Sequence, residues 1–379
     1  MYGLFAGITT LDVAQLTAGT VAENQKVTSL DQMLAAGGPA TNAAVVFARL
    51  ARSWAHLRES QRVNSSIRGG NPGGMLGTML VTAIGEGPAA HLILEDLDEA
   101  GVALVDCTDY DAEVPEEIGK LDLTPSLSTI MVNAQSGART VASTNTRLPL
   151  KPEHAVATLE AMGAPQVLLV DGHNPVLAVA TLTFGTQAAR SAEDEADLAS
   201  GAGSAGNQTD MEDANPFAGQ EYKPGYLRIL DGGSWKPWLP SILGYIDVAI
   251  ISADFLPPGA STFEDTVAFL RGFGIERVIR TDGAAPVRWS WLGNTGQAEP
   301  PAVDAVCTLG AGDTFHGAFA WGCARGILTR DTQDPTIMVD FANRIASIST
   351  TAFGTRTWMA DQETIDHELA VLFEKVNQA

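Results

Sequence analysis

Basic residues are scarce in this chain of 379 residues: 23 lysines and arginines stand against 45 aspartates and glutamates, a formal net charge of −22. Nucleic acid or an anionic membrane surface selects for a basic face, so this balance argues against both as partners. Cysteine is scarcer still. Cys107, Cys307 and Cys323 are scattered without a C-x-x-C pair, which reads as reduced thiols rather than a disulfide framework. No apolar run approaches the length needed to span a bilayer. The first residues hold no basic region followed by a long apolar stretch, so a signal peptide is not expected. Cytoplasm is the expected compartment. A Walker A loop is also missing, which excludes a nucleotide site of the P-loop type. Apolar residues, by contrast, make up 45% of the chain, ample for a large core.

Short apolar segments that end in polar or glycine residues recur along the chain. Met1–Ile8 reads as a buried strand that breaks into Thr9-Thr10-Leu11-Asp12-Val13, and Thr78–Ile84 reads as another strand. Gln166–Asp171, Tyr226–Asp231, Asp247–Ser252 and Arg277–Thr281 repeat the pattern. Ala40–Leu50 predicts a helix opened by Gly37-Gly38-Pro39, with the proline in the first turn. Ala89–Ala100 predicts an amphipathic helix that stops at Gly101. Repeated βα units imply a mainly parallel sheet covered by helices on both faces. Ligands of such sheets bind beyond the carboxyl ends of the strands, where Asp12, Asp171, Asp231, Ser252 and Thr281 fall. Ser128–Asn133 and Arg139–Thr144 predict a hairpin that turns at Gly137. Together with Val13–Ser29 it predicts a small sheet across the pocket mouth. Residues 51–74 and 191–222 look inserted. The second carries eight acidic residues and no basic one, a composition that favours a solvated loop.

The chemistry concentrates in Thr308-Leu309-Gly310-Ala311-Gly312-Asp313-Thr314-Phe315. Glycines here let a helix start present successive N–H groups to an anion, where the helix dipole also favours negative charge. A carboxylate at such a cradle repels a phosphate that is merely bound. It makes sense if Asp313 takes a proton from an attacking hydroxyl while the amides of Gly310, Ala311 and Gly312 hold the transferring phosphoryl group. His316, three residues further on, reads as helix packing against the sheet. A second element, Gly37-Gly38-Pro39-Ala40-Thr41-Asn42, lets a hydroxyl-bearing ligand approach the main chain at Gly38. There Asn42 can both donate and accept.

The first of these stretches resembles the second signature of the ribokinase family of sugar kinases, also called the phosphofructokinase-B family, in wording similar to the ketohexokinase branch. The Gly-Gly element resembles the first signature. The resemblance implies a ribokinase-like three-layer α/β/α sandwich, one kinase domain over residues 1–379, with a β lid from about 13–36 and 103–148. It implies an ATP-dependent sugar kinase using Mg²⁺, with Asp12, Asn24, Gly38, Asn42 and Arg139 on the sugar side. Thr281, Gly283, Thr308 and Asn343 fall on the nucleotide side. A homodimer through the lid is the expected assembly. Fructose or ribose fits as acceptor. A nucleoside kinase of the same fold and a catalytically silent sugar sensor are the alternatives. Two departures leave the metal ligands unassigned. Cys307 stands where relatives carry an Asp beside a monovalent cation, which weighs against such an ion here. Ser252-Ala253-Asp254-Phe255 replaces an Asn-x-x-Glu segment.

Overall fold

Strand β1 (Tyr2–Ala6) sends alternate side chains to opposite faces, Phe5 into one apolar core and Tyr2, Leu4 and Ala6 into another. Strand β8 (Val167–Val170) does the same, with Val167 and Leu169 on one side and Leu168 and Val170 on the other. A strand apolar on both faces needs cover on both, and that requirement makes a three-layer α/β/α sandwich. The computed structural model describes residues 1–59, 76–112, 123–144, 148–184 and 225–378.

The remaining strands are β2 (Thr10–Thr17), β3 (Asp31–Gly37), β4 (Gly77–Thr82), β5 (Ala103–Asp106), β6 (Ser126–Asn133) and β7 (Arg139–Ser143). They continue with β9 (Leu227–Gly232), β10 (Val248–Ser252), β11 (Arg277–Asp282), β12 (Ala285–Trp291) and β13 (Asn294–Ala298). Nine of the strands form the central sheet in the order β13-β12-β11-β10-β9-β8-β1-β4-β5. Its pairs from β11 to β5 are parallel, and only the β11-β12-β13 meander is antiparallel. A second sheet, β3-β2-β6-β7, stands apart as the lid.

Helix α1 (Pro39–Glu59) and helix α5 (Ala311–Ala324) pack on one face of the central sheet. Between them come α2 (Pro88–Ala100), α3 (Glu153–Met162) and α4 (Phe263–Arg271), and α6 (Thr336–Ser349) and α7 (Gln362–Gln378) follow. The two main helices approach each other backbone to backbone at Gly317. A Cβ built on Gly317 lies 2.4 Å from the carbonyl oxygen of Ala43, so only glycine permits this approach. Trp54 of α1 stacks on Phe373 of α7 at 3.9 Å and meets Trp321 of α5 edge-on.

Three expectations are corrected. Asp12 lies on lid strand β2, paired with β3 and β6, not at the end of a central strand. The chain leaves the central sheet at Ala6, and its break at Gly7 to Thr9 begins a new strand. The first inserted stretch is not loop from residue 51: α1 runs on to Glu59 because Ala51, Trp54 and Leu57 continue its buried stripe. Its remainder, 60–74, lies outside the described residues, as does 191–222. Residues 103–106 belong to the edge of the central sheet, since Met79 to Thr82 pair with Ala103 to Asp106. The lid therefore takes only β6 and β7 from that region. The turn expected at Thr281-Asp282-Gly283 leads β11 into the antiparallel strand β12.

Candidate active site

The start of α5 is shaped by Gly310, which adopts a φ of 73° and would set a Cβ 2.8 Å from Thr355. Left-handed backbone beside a close neighbour demands glycine at this position. The first-turn amides of a helix have no intrahelical acceptor, and Ala311 N–H makes only a 3.4 Å contact to Thr308 O. Asp313 sits in that same turn.

Asn42, in the first turn of α1, donates from Nδ2 to Asp313 Oδ2 at 2.7 Å. Asp12 faces the same region across Gly37, where an added Cβ would lie 2.1 Å from its carboxyl carbon. Thr10 donates to Asp12 at 2.6 Å. Gly38 holds a φ of 99° with Ile8 O 2.2 Å from where a Cβ would be, so this turn tolerates no side chain. The sequence-predicted Asp12, Gly38, Asn42 and Asp313 are thus brought together. Asn24 is not. It is exposed, in a left-handed turn with φ 59° between β2 and β3, and no hydrogen bond ties it to the site among the described residues.

On the other side of the α5 start opens a cleft of about 720 Å³. Thr281, Gly283, Thr308 and Asn343, four residues separated widely in sequence, all line it, together with Ala311 and Gly312. Asn343 is buried, and its Nδ2 has no hydrogen-bond partner among the described residues. An unpaired buried donor is costly unless a ligand accepts from it. Arg139, expected on the sugar side, lines this cleft instead: it reaches over from lid strand β7 and donates to Thr308 Oγ1 at 3.1 Å. Ser252 and Asp254 close the rim.

The electrostatics of the carboxylates differ by position. Burial, followed by the nearby charge of Asp231, pushes Asp313 up to about 7, while the Asn42 hydrogen bond and His316 oppose the rise. Asp12 is also raised, chiefly by burial, with Thr10, Ser128 and Arg356 opposing. Asp231 lies well above the ordinary carboxylate range because of burial and the charge of Asp171. His316 is shifted down by burial. Its Nδ1 lies 2.7 Å from Gly312 O, and its Nε2 lies 3.3 Å from Ile250 O and 3.5 Å from Asp231 Oδ1. The imidazole therefore ties the α5 start to β9 and β10. Asp171 accepts from the Ile8 N–H at 2.9 Å and the Ala40 N–H at 3.4 Å, which anchors the entry to α1.

Sequence reasoning passed over Arg356 and Asp96. Arg356 Nη1 donates to Asn42 Oδ1 at 3.0 Å, and Nη2 donates to Ala36 O at 2.6 Å and Asp96 Oδ2 at 3.1 Å. The one available signal was a lone arginine directly after Phe353-Gly354-Thr355, beyond a long apolar helix.

Residues 207–362 match the family model described as pfkB family carbohydrate kinase. A stretch of 94 residues is 34% identical to the ribokinase of Bacillus subtilis, covering 25% of this chain and 30% of that protein. The fold resembles ribokinase from Giardia lamblia with a TM-score of 0.65 at 14% identity, over 98% of this chain and 99% of that one. Arabidopsis thaliana ribokinase, solved with ribose and ATP, gives 0.61 at 17% identity, over 97% and 98%. Thermotoga maritima ribokinase gives 0.61 at 17%, over 97% and 99%. The class is therefore that of ribokinase-like folds. The family match over 207–362 supports the ribokinase/PfkB recognition drawn from the motifs.

Proposed function

We propose that the protein is an ATP-dependent sugar kinase that phosphorylates a hydroxyl of a small sugar, ribose and fructose being the first to test. The observation that carries this reading is the position of Asp313. It shares one helical turn with the amides of Ala311 and Gly312 on the cleft wall, while Asn42 holds its carboxylate from the side of Asp12 and Gly38. A base and an anion cradle one residue apart suit transfer of a phosphoryl group between two ligands, one on each side.

In this reading the sugar lies against Asp12, Gly38 and Asn42, and ATP occupies the cleft with its base near Asn343. Asp313 accepts the proton as the sugar oxygen attacks the γ-phosphorus and the bond to the ADP oxygen breaks. Gly310, Ala311 and Gly312 supply amides to the phosphoryl oxygens as charge builds there. Thr281, Gly283 and Thr308 lie along the phosphates. Arg139 joins the lid to Thr308, so lid closure and phosphate binding are coupled and water is excluded. Mg²⁺ brought in on the phosphates of ATP would neutralise charge there during transfer. Leu34 and Met131, 49% and 39% exposed, lie on the outer face of the lid and support a homodimer through it.

The test is a coupled assay of ADP release with D-ribose, D-fructose and a panel of nucleosides, the phosphorylated product confirmed by mass. Transfer to a sugar but not to nucleosides is expected. Transfer only to a nucleoside would move the protein to the nucleoside kinase reading, and transfer to neither would sink the assignment to these acceptors.

A further inference from the structure

An asparagine amide has nearly the same shape either way round, so its direction is set by what it faces. Asn42 stands between a carboxylate, which can only accept, and a guanidinium, which can only donate. With Arg356 Nη1 at 3.0 Å from Oδ1 and Asp313 Oδ2 at 2.7 Å from Nδ2, one orientation satisfies both neighbours and the flipped one satisfies neither. The guanidinium is itself fixed. Its second nitrogen is shared between Ala36 O at 2.6 Å and Asp96 Oδ2 at 3.1 Å, and Asp96 accepts the Ala36 N–H at 3.0 Å. Both main-chain groups of Ala36, immediately before the Gly37-Gly38 turn, are therefore held by this ion pair.

We propose that Arg356 is a positioning residue of the site. It locks the Asn42 amide with its N–H toward Asp313, and through Asp96 it sets the Gly37-Gly38 turn relative to that carboxylate. Three parts of the chain far apart in sequence meet at one planar fork, the geometry arginine provides and lysine does not. Both terminal nitrogens of Arg356 are taken by protein, and Nε, without a partner among the described residues, is buried away from solvent, so Arg356 acts through Asn42 rather than on a ligand. The inference rests on the kinase reading only for its effect on turnover; the orientation of Asn42 does not depend on it.

Loss of Arg356 frees the amide to rotate. Asp313 then loses a hydrogen bond to its charged form, so its titration moves to higher pH. The groups that also face Asp313 remain in place: Asp12 from β2, Asp231 from β9 with Asp171 and Lys236 behind it, and His316 from α5. The expected displacement is roughly one pH unit, the size associated with one hydrogen bond to a charged group.

The experiment is a pH titration of the Asp313 carboxyl by infrared difference spectroscopy, each protein read against its own Asp313→Asn version. Wild type, Arg356→Met, Arg356→Lys and Asp96→Asn are compared. An upward shift is expected in Arg356→Met, an intermediate one in Arg356→Lys, and a smaller one in Asp96→Asn. If Arg356→Met does not fold, Arg356→Lys carries the same test, since an ammonium cannot hold Asn42 Oδ1 and Ala36 O together. An unmoved midpoint in the folded Arg356 variants overturns the proposal, even if their melting temperatures fall. Phosphoryl transfer from ATP to D-ribose and D-fructose is measured on the same proteins. No transfer by wild type would count against the kinase reading, while the titration still decides the role of Arg356. Where wild type is active, the sugar KM and the acid limb of the rate should move in the variants and the ATP KM should not.

Discussion

Replacing Asp313 by Asn removes the negative charge and the proton acceptor but keeps the shape and one hydrogen-bond acceptor. The side-chain oxygen of the new amide can still accept from Asn42, so the packing around α5 is retained. As a general base, Asp313 is expected to account for roughly 10²–10⁴ in turnover, with sugar and ATP affinities changed only a few-fold. Stability gives an independent reading. The folded protein holds this carboxyl up at about 7 against an ordinary 3.8. The stability of its protonated form is fully present below the unfolded value and is lost as pH rises through about 7. A displacement of that size corresponds to roughly 4 kcal/mol at most, nearer 2 once partial access of solvent to the cleft is allowed for. Asp313→Asn does not ionise and escapes this loss. It should melt several degrees higher than wild type at pH 8, at about 2 °C per kcal/mol. Near pH 4 the two proteins should converge. Calorimetry at both pH values and steady-state kinetics check the two halves. Wild-type turnover in the variant would refute the base assignment. A variant less stable than wild type at pH 8 would refute the electrostatic account.

Three further outcomes follow from the same geometry. Asn42→Ala should raise the sugar KM far more than the ATP KM and shift the acid limb of the pH–rate profile upward, because Asp313 loses its donor; equal effects on both substrates would take Asn42 out of the sugar site. Gly317→Ala should destabilise the fold by roughly 1–3 kcal/mol in chemical denaturation, since its Cβ would press on the Ala43 carbonyl; unchanged stability would show that α1 and α5 separate freely. Potassium in place of a large inert cation at constant ionic strength should change the rate little, because Cys307 is buried against Ala14, Ile130, Val132 and Phe353 and a thiol is a poor ligand for a hard ion. Several-fold stimulation would point to main-chain carbonyls or Asp304 instead.

The order of strands and helices was legible because the inner strands of the central sheet are apolar on both faces and run into polar or glycine residues, a pattern that parallel sheets impose locally. The Gly-Ala-Gly-Asp loop was legible for a similar reason. Gly310, Ala311, Gly312 and Asp313 are contiguous, and a helix start needs no distant partner to present its amides. The set Thr281, Gly283, Thr308 and Asn343 came from the family resemblance rather than from local pattern, and all four line one cleft. Tertiary structure decided what depends on residues meeting across the fold. Asp12 moved to a lid strand because the chain break at Gly7 to Thr9 starts a new sheet, and strand periodicity does not say which sheet a strand joins. The extension of α1 to Glu59 was fixed by Trp54 stacking on Phe373 and meeting Trp321, both supplied by helices more than 250 residues further along. Arg356 and Asp96 are single charged residues with no local motif. Their meaning arises only where β3, α1, α2 and the segment after α6 converge, because the direction of one amide is a property of its neighbours in space.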